Sequence, residues 1–404
     1  MPQRPEHVFC SGCPIVHTQF HPVEHPKLIL GGGTSGQILI WDARVGRYPV
    51  QRSSIVATSG GGGGSSSNEG GSGCVGGHDV ELVGMKVLGG DGIAGGGGGS
   101  ISTCKLVTAS SDGKVNYWSV SNLRDPVEQV KVNANLSCLD VLHYEGSNEG
   151  VVCGDERGGC HAIFASSGRD GGGVGGGGAS KRVVRTFHPG GVFGNKSLDD
   201  VESIDSNEDA LDSGHYGMVT AIAARPAMAN NLNTRSSMKE TTGATASSSS
   251  GVSKGFLRGA GGLLVTTGVD WSTKLWAPGY TDAPLMSFLS NSYDYMTDVQ
   301  WSPVHPSIFA TTSSNGTVNI WNLAASLDQP ISGTEGVSID DFAVSSSSRQ
   351  GLNRLKWSGD GRRMAVASGD KMHVLSVGED VWKSKGDEEG KLMNNLLSRG
   401  LIHE

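Results

Sequence analysis

Three polar residues recur at one position of a repeated pattern and are the first candidates for chemistry. They are Asp112, Asp270 and Asn315, each six residues before a tryptophan, namely Trp118, Trp276 and Trp321. A carboxylate acts as a general acid or base only beside a nucleophile or a second titratable group. The chain has no Gly-x-Ser-x-Gly elbow, and no glycine-rich run ends in the Gly-Lys-Ser/Thr of a phosphate loop. The sequence therefore predicts no catalytic residues, no enzyme activity and no cofactor.

A cysteine and histidine cluster near the start has spacings that a zinc ion could use. Its members are Cys10, Cys13, His17, His21 and His25. His21, however, occupies the place that Ser302 takes in a later Trp-Ser-Pro, and His17 lies on the strand leading to it. Strand alternation would put His17 and His21 on one face with Phe20 opposite. We therefore favour ordinary packing of these residues over a metal site, and predict no bound metal.

The elements that position these residues are pairs of strands joined by a tight turn. Each pair ends in a tryptophan that follows a turn with Asp, Asn, Ser or Gly, and a short apolar strand precedes each turn. The clear copies are 35–41, 112–118, 270–276 and 315–321, with weaker copies at 157–163 and 364–377. Trp276 and Trp321 are 45 residues apart. A period of about 40 to 45 residues with this unit is typical of WD-repeat β-propeller blades.

We therefore predict an all-β WD-repeat β-propeller over residues 16–377, with six readable blades. Long glycine- and serine-rich segments interrupt the repeats and are predicted to be loop inserts. They lie near 57–77, 89–100, 168–213, 228–260 and 340–350. Residues 1–15 read as a junction from an upstream blade, and 378–404 read as a C-terminal tail.

WD blades suggest a structural role for the repeated acids. In such blades the acid accepts a hydrogen bond from a histidine before the first strand, and a Ser or Thr links the histidine to the tryptophan indole. The fourth repeat offers candidates for all four parts in His215, Thr267, Asp270 and Trp276. A fully partnered buried network makes a fold rigid. We predict such a structural network at Trp41, Asp112, Trp118, His215, Thr267, Asp270, Trp276, Asn315 and Trp321.

Charge and cysteine content narrow the possible partners. The net charge is −8, and segment 197–213 carries seven acidic residues with no Lys or Arg. The rest is close to neutral, so we expect no nucleic-acid binding. The acidic segment is either a solvated insert or an interaction or phosphorylation segment around Ser203 and Ser206. Seven scattered cysteines and the lack of a signal peptide or long apolar stretch favour a reduced intracellular protein without membrane insertion.

Several phrases outside the repeat pattern resemble the dynein intermediate chain family, and the cytoplasmic branch in particular. They lie at 36–44 with 49–52, at 265–276 with 284–288, at 293–306 and at 353–357. An aromatic residue directly after the turn acid, Asp270-Trp271, differs from the common Asp-Gly. The resemblance covers most of 6–380 outside the inserts.

The resemblance implies a non-catalytic subunit of a microtubule motor in the cytoplasm, attached to the cytoskeleton. In this family the propeller docks on the dynein heavy chain, while an N-terminal extension binds dynein light chains and contacts dynactin. The family has seven blades, so we expect a further blade and that extension upstream of Met1. Another WD scaffold, such as a ubiquitin-ligase substrate receptor, and an axonemal dynein intermediate chain are the alternatives.

Overall fold

The structure is a computed structural model and describes most of the repeats. The described residues are 5–21, 25–54, 77–88, 105–142, 150–165, 182–187, 214–226, 262–278, 280–281, 283–290, 293–333, 336–338, 350–384 and 386–402. The predicted inserts lie largely outside these ranges. By contacts the chain divides into two compact units, Met1–Val141 and Leu142–Glu404.

The described residues contain six small antiparallel sheets, one for each repeat found in the sequence. Sheet 1 has β1 Ile15–Phe20, β2 Leu28–Gly33, β3 Ile38–Asp42 and β4 Gln51–Arg52; sheet 2 has β5 Leu82–Leu88, β6 Lys105–Ser110, β7 Lys114–Ser119 and β8 Glu128–Lys131. Sheet 3 has β9 Leu136–Leu142, β10 Gly150–Asp155, β11 Cys160–Ala165 and β12 Arg182–Phe187.

The remaining sheets belong to the second unit. Sheet 4 has β13 Val219–Ala224, β14 Leu264–Gly268, β15 Ser272–Trp276 and β16 Met286–Leu289; sheet 5 has β17 Met296–Trp301, β18 Ile308–Ser313, β19 Thr317–Asn322 and β20 Val337–Ser338. Sheet 6 has three strands among the described residues, β21 Arg354–Trp357, β22 Arg363–Ser368 and β23 Lys371–Ser376. Consecutive strands are neighbours throughout, the form of WD-repeat propeller blades, and this confirms the predicted fold class.

The strands are rich in apolar and β-branched residues, and each second strand turns sharply into the third. A glycine with positive φ sits in the turn of sheets 1, 2, 3 and 5, where an L side chain would be strained. These glycines are Gly36, Gly113, Gly158 and Gly316. The strands β3, β10, β15 and β18 are buried along their whole length, so their side chains on both faces pack into cores.

Residues 378–404, predicted to be a tail, contain a helix that belongs to the core. After a short helix at Glu379–Trp382, the helix Glu388–Ser398 buries Leu392 and Leu396 completely, against apolar residues of sheets 4 and 5. The Asp387 side chain accepts a hydrogen bond from the amide of Gly390 and caps the N-terminus of this helix. The Asn395 amide group donates to the carbonyls of Leu323 and Ala324 at 2.9 and 3.0 Å. The segment predicted as a C-terminal tail therefore contains a helix that packs against sheets 4 and 5.

The segment before the first strand also packs against its sheet. The Cys10 amide donates to the carbonyl of Arg47 at 2.7 Å, and the Phe9 ring lies 6.1 Å from that of Trp41.

No helix in the part of the chain that the structure describes is long and apolar enough to span a bilayer.

Candidate functional site

Sheet 4 holds a buried chain of hydrogen bonds that joins four polar side chains. His215, four residues before β13, places Nδ1 2.9 Å from Oδ1 of Asp270 and Nε2 2.7 Å from Oγ1 of Thr266. The indole Nε1 of Trp276 donates to the same Thr266 hydroxyl at 2.8 Å. Thr266 and Trp276 are each at most 1 % exposed. The turn acid is thus joined to the tryptophan through the histidine and one hydroxyl.

Asp270 is held as a carboxylate by the donors around it. Burial alone would raise the pKa of Asp270, but the hydrogen bond and charge of His215 act against it. Together with the amide of Tyr216 and the hydroxyl of Ser272, they lower this pKa from 3.8 to about 2. The carboxylate oxygens are already committed to these donors, which suits a fold element better than a general base.

The linking hydroxyl belongs to Thr266, and the prediction of Thr267 was wrong by one residue. Neighbouring residues of a strand face opposite sides of the sheet. Thr267 accordingly points away from His215, and its hydroxyl accepts from Thr220 Oγ1 at 3.0 Å. The rule that would have found Thr266 is the spacing to the indole, since Thr266 and Trp276 are ten residues apart, as are Thr108 and Trp118 in sheet 2.

Sheet 2 has a related network with one more link. His78, like His215, lies four residues before its first strand, and its Nε2 is 2.7 Å from Oγ1 of Thr108, which accepts from Trp118 Nε1 at 2.8 Å. Its Nδ1 is 2.7 Å from Oγ of Ser110, and that hydroxyl donates to Asp112 at 2.5 Å. Burial lowers the pKa of His78 to about 4. Sequence reasoning found the acid and the tryptophan but missed the histidine and both hydroxyls.

Sheet 3 pairs an acid and a histidine without a tryptophan. Asp155 accepts from the amides of Arg157 and Gly159 at 2.8 and 2.7 Å, and its Oδ2 is 2.9 Å from Nε2 of His161. Nδ1 of His161 is 3.0 Å from Oγ1 of Thr186. Both members of this pair are buried, and Asp155 again stabilises the turn that follows it. Neither residue was among the predicted site residues.

Sheet 5 has a similar hydrogen-bonded turn, but Thr311 does not accept a hydrogen bond from the tryptophan indole. Asn315 Oδ1 accepts from the hydroxyl of Ser313 and, at 2.7 Å, from that of Thr317. Among the described residues, the buried Thr311 Oγ1 and Trp321 Nε1 have no hydrogen-bond partner, although they are ten residues apart. The Trp321 ring instead packs against other aromatic rings, and its centroid lies 4.5 Å from that of Phe288, with the two rings tilted. Asn315 and Trp321 are thus not joined, which corrects their placement in one network.

Sheet 1 has no hydroxyl at the linking position. Gly31 stands ten residues before Trp41, and a Cβ there would lie 2.5 Å from the indole ring. The indole Nε1 of Trp41 donates to the carbonyl of Cys10 at 3.1 Å instead. Trp41 therefore anchors the preceding segment and is not part of an acid and histidine network, contrary to prediction.

The cysteine and histidine cluster does not come together as a ligand set. Cys13 Sγ lies close to Gly33, while His21 stacks edge-on to His25 with ring centroids 5.1 Å apart. His17 is half-buried, His21 is buried and Phe20 is exposed, as strand alternation predicts. In the described residues, no group of three or more His, Cys, Asp or Glu side chains is placed to hold a metal ion.

Two curated relatives match most of the chain. It is 25 % identical over 398 residues to "Cytoplasmic dynein 1 intermediate chain" of Drosophila melanogaster, covering 97 % of this chain and 44 % of the relative. It is 21 % identical over 337 residues to "Dynein axonemal intermediate chain 2" of Homo sapiens, covering 80 % of this chain and 38 % of the relative. The chain thus spans less than half the length of each.

The solved structures similar to this chain include two at low sequence identity. The chain is similar to the WD40 repeats of RRP9 and to U3-55K, at 15 % identity, TM-scores of 0.47 and 0.46, and coverage of 86 % of this chain and 71 % of each solved chain. No protein-family model matches. The two curated relatives are both dynein intermediate chains, the family that the phrases at 36–44, 265–276 and 293–306 resemble.

Proposed function

We propose that this chain is the propeller part of a non-catalytic intermediate chain of a dynein motor complex. The observation that carries the proposal is the match to the cytoplasmic dynein 1 intermediate chain over 97 % of the chain. A match of that length follows the whole series of sheets and is not confined to one repeat. The propeller docks on the dynein heavy chain and serves as a scaffold for transport towards microtubule minus ends.

A scaffold role agrees with how the acidic side chains are used. The carboxylates of Asp112, Asp155 and Asp270 each accept hydrogen bonds from the turn that follows and from a hydroxyl or histidine. Removing a proton from a substrate would require one of them to give up these donors. The geometry therefore supports binding through surfaces and not catalysis.

The other partners follow from the same proposal. Dynein light chains and dynactin would bind a segment N-terminal to the propeller. The protein would lie in the cytoplasm with the microtubule cytoskeleton, without contact to nucleic acid and without insertion into a membrane. An axonemal intermediate chain is the second candidate, because a human axonemal relative covers 80 % of the chain.

Affinity purification tests the proposal. The tagged full-length chain, isolated from cells of its source at low salt, should recover a dynein heavy chain identified by mass spectrometry. A variant with Asp270→Ala, which weakens the fold of sheet 4, serves as the matched control. The identity of the heavy chain, cytoplasmic or axonemal, separates the two candidates. Absence of any heavy chain, or ATP hydrolysis by the purified chain alone, would contradict the proposal.

A further inference from the structure

The turn of sheet 4 departs from the turns of sheets 1, 2, 3 and 5 at one residue. Where those turns have glycine with φ between 76° and 94°, sheet 4 has Trp271 with φ 64°. A bulky residue in the left-handed region is strained, and such strain persists mainly at functional sites. Nothing in the hydrogen-bond network needs the indole ring, because Asp270 reaches His215 without it.

A second strained aromatic residue lies directly against the first. Tyr293 has φ 55°, and its ring meets that of Trp271 edge to face with centroids 5.6 Å apart. The two loops are joined by a hydrogen bond from the Ser290 amide to the Trp271 carbonyl at 2.9 Å. Both non-glycine residues with positive φ in the described part of the chain are therefore aromatic and in contact.

Further exposed aromatic residues flank this pair. The Tyr216 amide donates to Asp270, which places Tyr216 beside the turn, and Tyr295 follows Tyr293 by two residues. Tyr216, Trp271, Tyr293 and Tyr295 are 66 %, 42 %, 72 % and 55 % exposed. We call these four residues the aromatic surface. Large aromatic side chains are enriched where proteins bind one another, and they contribute most of the binding energy there.

Charge indicates what the aromatic surface binds. Segments 214–218, 269–272 and 289–295 contain Asp270 and Asp294 but no Lys or Arg. Asp270 is committed to its own network, whereas Asp294, between the two exposed tyrosines, is partly exposed. Aromatic faces beside a carboxylate attract Lys and Arg through cation–π and ionic contacts. An acidic segment would meet a like charge and no Lys or Arg from these three segments.

We propose that the aromatic surface is a docking site for a protein segment that carries Lys or Arg among apolar side chains. The inference rests on the proposed function, since the motor complex supplies the partner. The strained backbone at Trp271 and Tyr293 holds both rings outward before binding, which reduces the entropy lost on docking.

A photo-crosslinking experiment tests the site directly. Benzoylphenylalanine replaces Tyr293 in the full-length tagged chain, and replaces Tyr48, which is 60 % exposed on sheet 1, in the matched control. After irradiation of the affinity-purified complex, position 293 should give an adduct with a segment that has more Lys and Arg than Asp and Glu. No more adduct at 293 than at 48, or an adduct with an acidic segment, overturns the proposal.

A second variant separates binding from folding. Trp271→Gly restores the residue type found in the other turns, so it should leave the melting temperature unchanged or raise it. The adduct at position 293 should fall about tenfold, as expected when a central aromatic anchor is lost. A lower melting temperature would show that the ring supports the fold, against the proposal. If no heavy chain is recovered, the proposed function fails, and the adduct at position 293 still decides the docking site.

Discussion

Sheets 2 and 4 build the same connection from acid to tryptophan in two ways. In sheet 4 the histidine touches Asp270 directly, whereas in sheet 2 the Ser110 hydroxyl stands between His78 and Asp112. One position decides the difference. The residue two before the acid is Gly268 in sheet 4, where a Cβ would lie 2.5 Å from Nδ1 of His215. A single side chain at this position therefore decides whether the histidine contacts the acid directly or through a hydroxyl.

Removing the acid should give the largest difference in stability loss between the two sheets. Asp270→Ala leaves His215, the Tyr216 amide and Ser272 without their acceptor and should lower the free energy of unfolding by about 3 kcal/mol. Asp112→Ala should cost about 1 kcal/mol, because Lys114 is partly exposed to water and the Ser110 hydroxyl can donate to the Lys114 carbonyl instead. Urea denaturation of both variants measures the difference. Equal losses would mean that direct contact with the histidine adds nothing.

The linking hydroxyl gives the next largest effect, with sheet 5 as its control. Thr266→Val removes the partner of both His215 and Trp276 and should cost about 2 kcal/mol. Thr311→Val changes the equivalent residue of sheet 5, whose hydroxyl has no partner among the described residues. It should change stability by less than about 0.5 kcal/mol. A comparable loss at Thr311 would contradict this account of sheet 5.

Exchanging the residue two before the acid should shift each sheet towards the hydrogen-bond arrangement of the other. Gly268→Ser places a side chain against His215 and Asp270 and should cost about 1 to 2 kcal/mol through overpacking. Ser110→Gly, the reverse change, removes the bridge from His78 to Asp112 and should cost about 1 kcal/mol. Thermal melts followed by circular dichroism compare the two. A neutral Gly268→Ser would show that the direct contact does not need glycine.

The two networks should also differ in the pH at which they weaken. The pKa of His78 is about 4 in the folded chain and 6.5 when unfolded, so the unfolded chain binds more protons between these values. The contribution of His78 is present above pH 6.5 and lost as the pH falls towards 4. That of Asp270, whose pKa falls from 3.8 to about 2, is present above pH 4 and lost below it.

One substitution tests the contribution of His78 to the pH dependence separately. His78→Gln should flatten the dependence of the unfolding free energy on pH between 6.5 and 4, and leave the change below pH 4 in place. Denaturant titrations at a series of pH values measure it. An unchanged slope between pH 6.5 and 4 would show that His78 does not titrate as its burial requires.

The sequence predicted the repeats well because their signal is local. A polar turn residue, a tryptophan six residues later and an apolar strand before them identify sheets 1, 2, 4 and 5 without knowledge of their neighbours, and weaker copies of the pattern mark sheets 3 and 6. The histidine of sheet 4 was found the same way. Thr266 was missed because two adjacent threonines fit the strand equally well, and the choice depends on which face meets His215. A bulge between Val219 and Ala221 in the neighbouring strand shifts the pairing there.

Other features depend on contacts that no local pattern contains. The indole of Trp41 reaches a carbonyl 31 residues away because Gly31 leaves it no hydroxyl. The helix Glu388–Ser398 did carry a signal, with apolar residues at 392, 393, 396 and 397 after the capping Asp387. Its position against sheets 4 and 5 is a tertiary property, and the sequence alone does not indicate which surface it covers.

That helix has a consequence for the order in which the chain can fold during synthesis. Its partners are made long before it, since Arg225 pairs with Glu389 across 164 residues and Asn395 bonds to Leu323 across 72. The ribosome therefore releases sheets 4 and 5 while the apolar surface beneath the helix, including Leu323 and Leu327, still lacks its cover. A nascent chain at this stage must be protected from aggregation until residues 388–402 emerge. A stop codon just before residue 388 would leave every strand of both sheets in place and still make that exposed stage permanent.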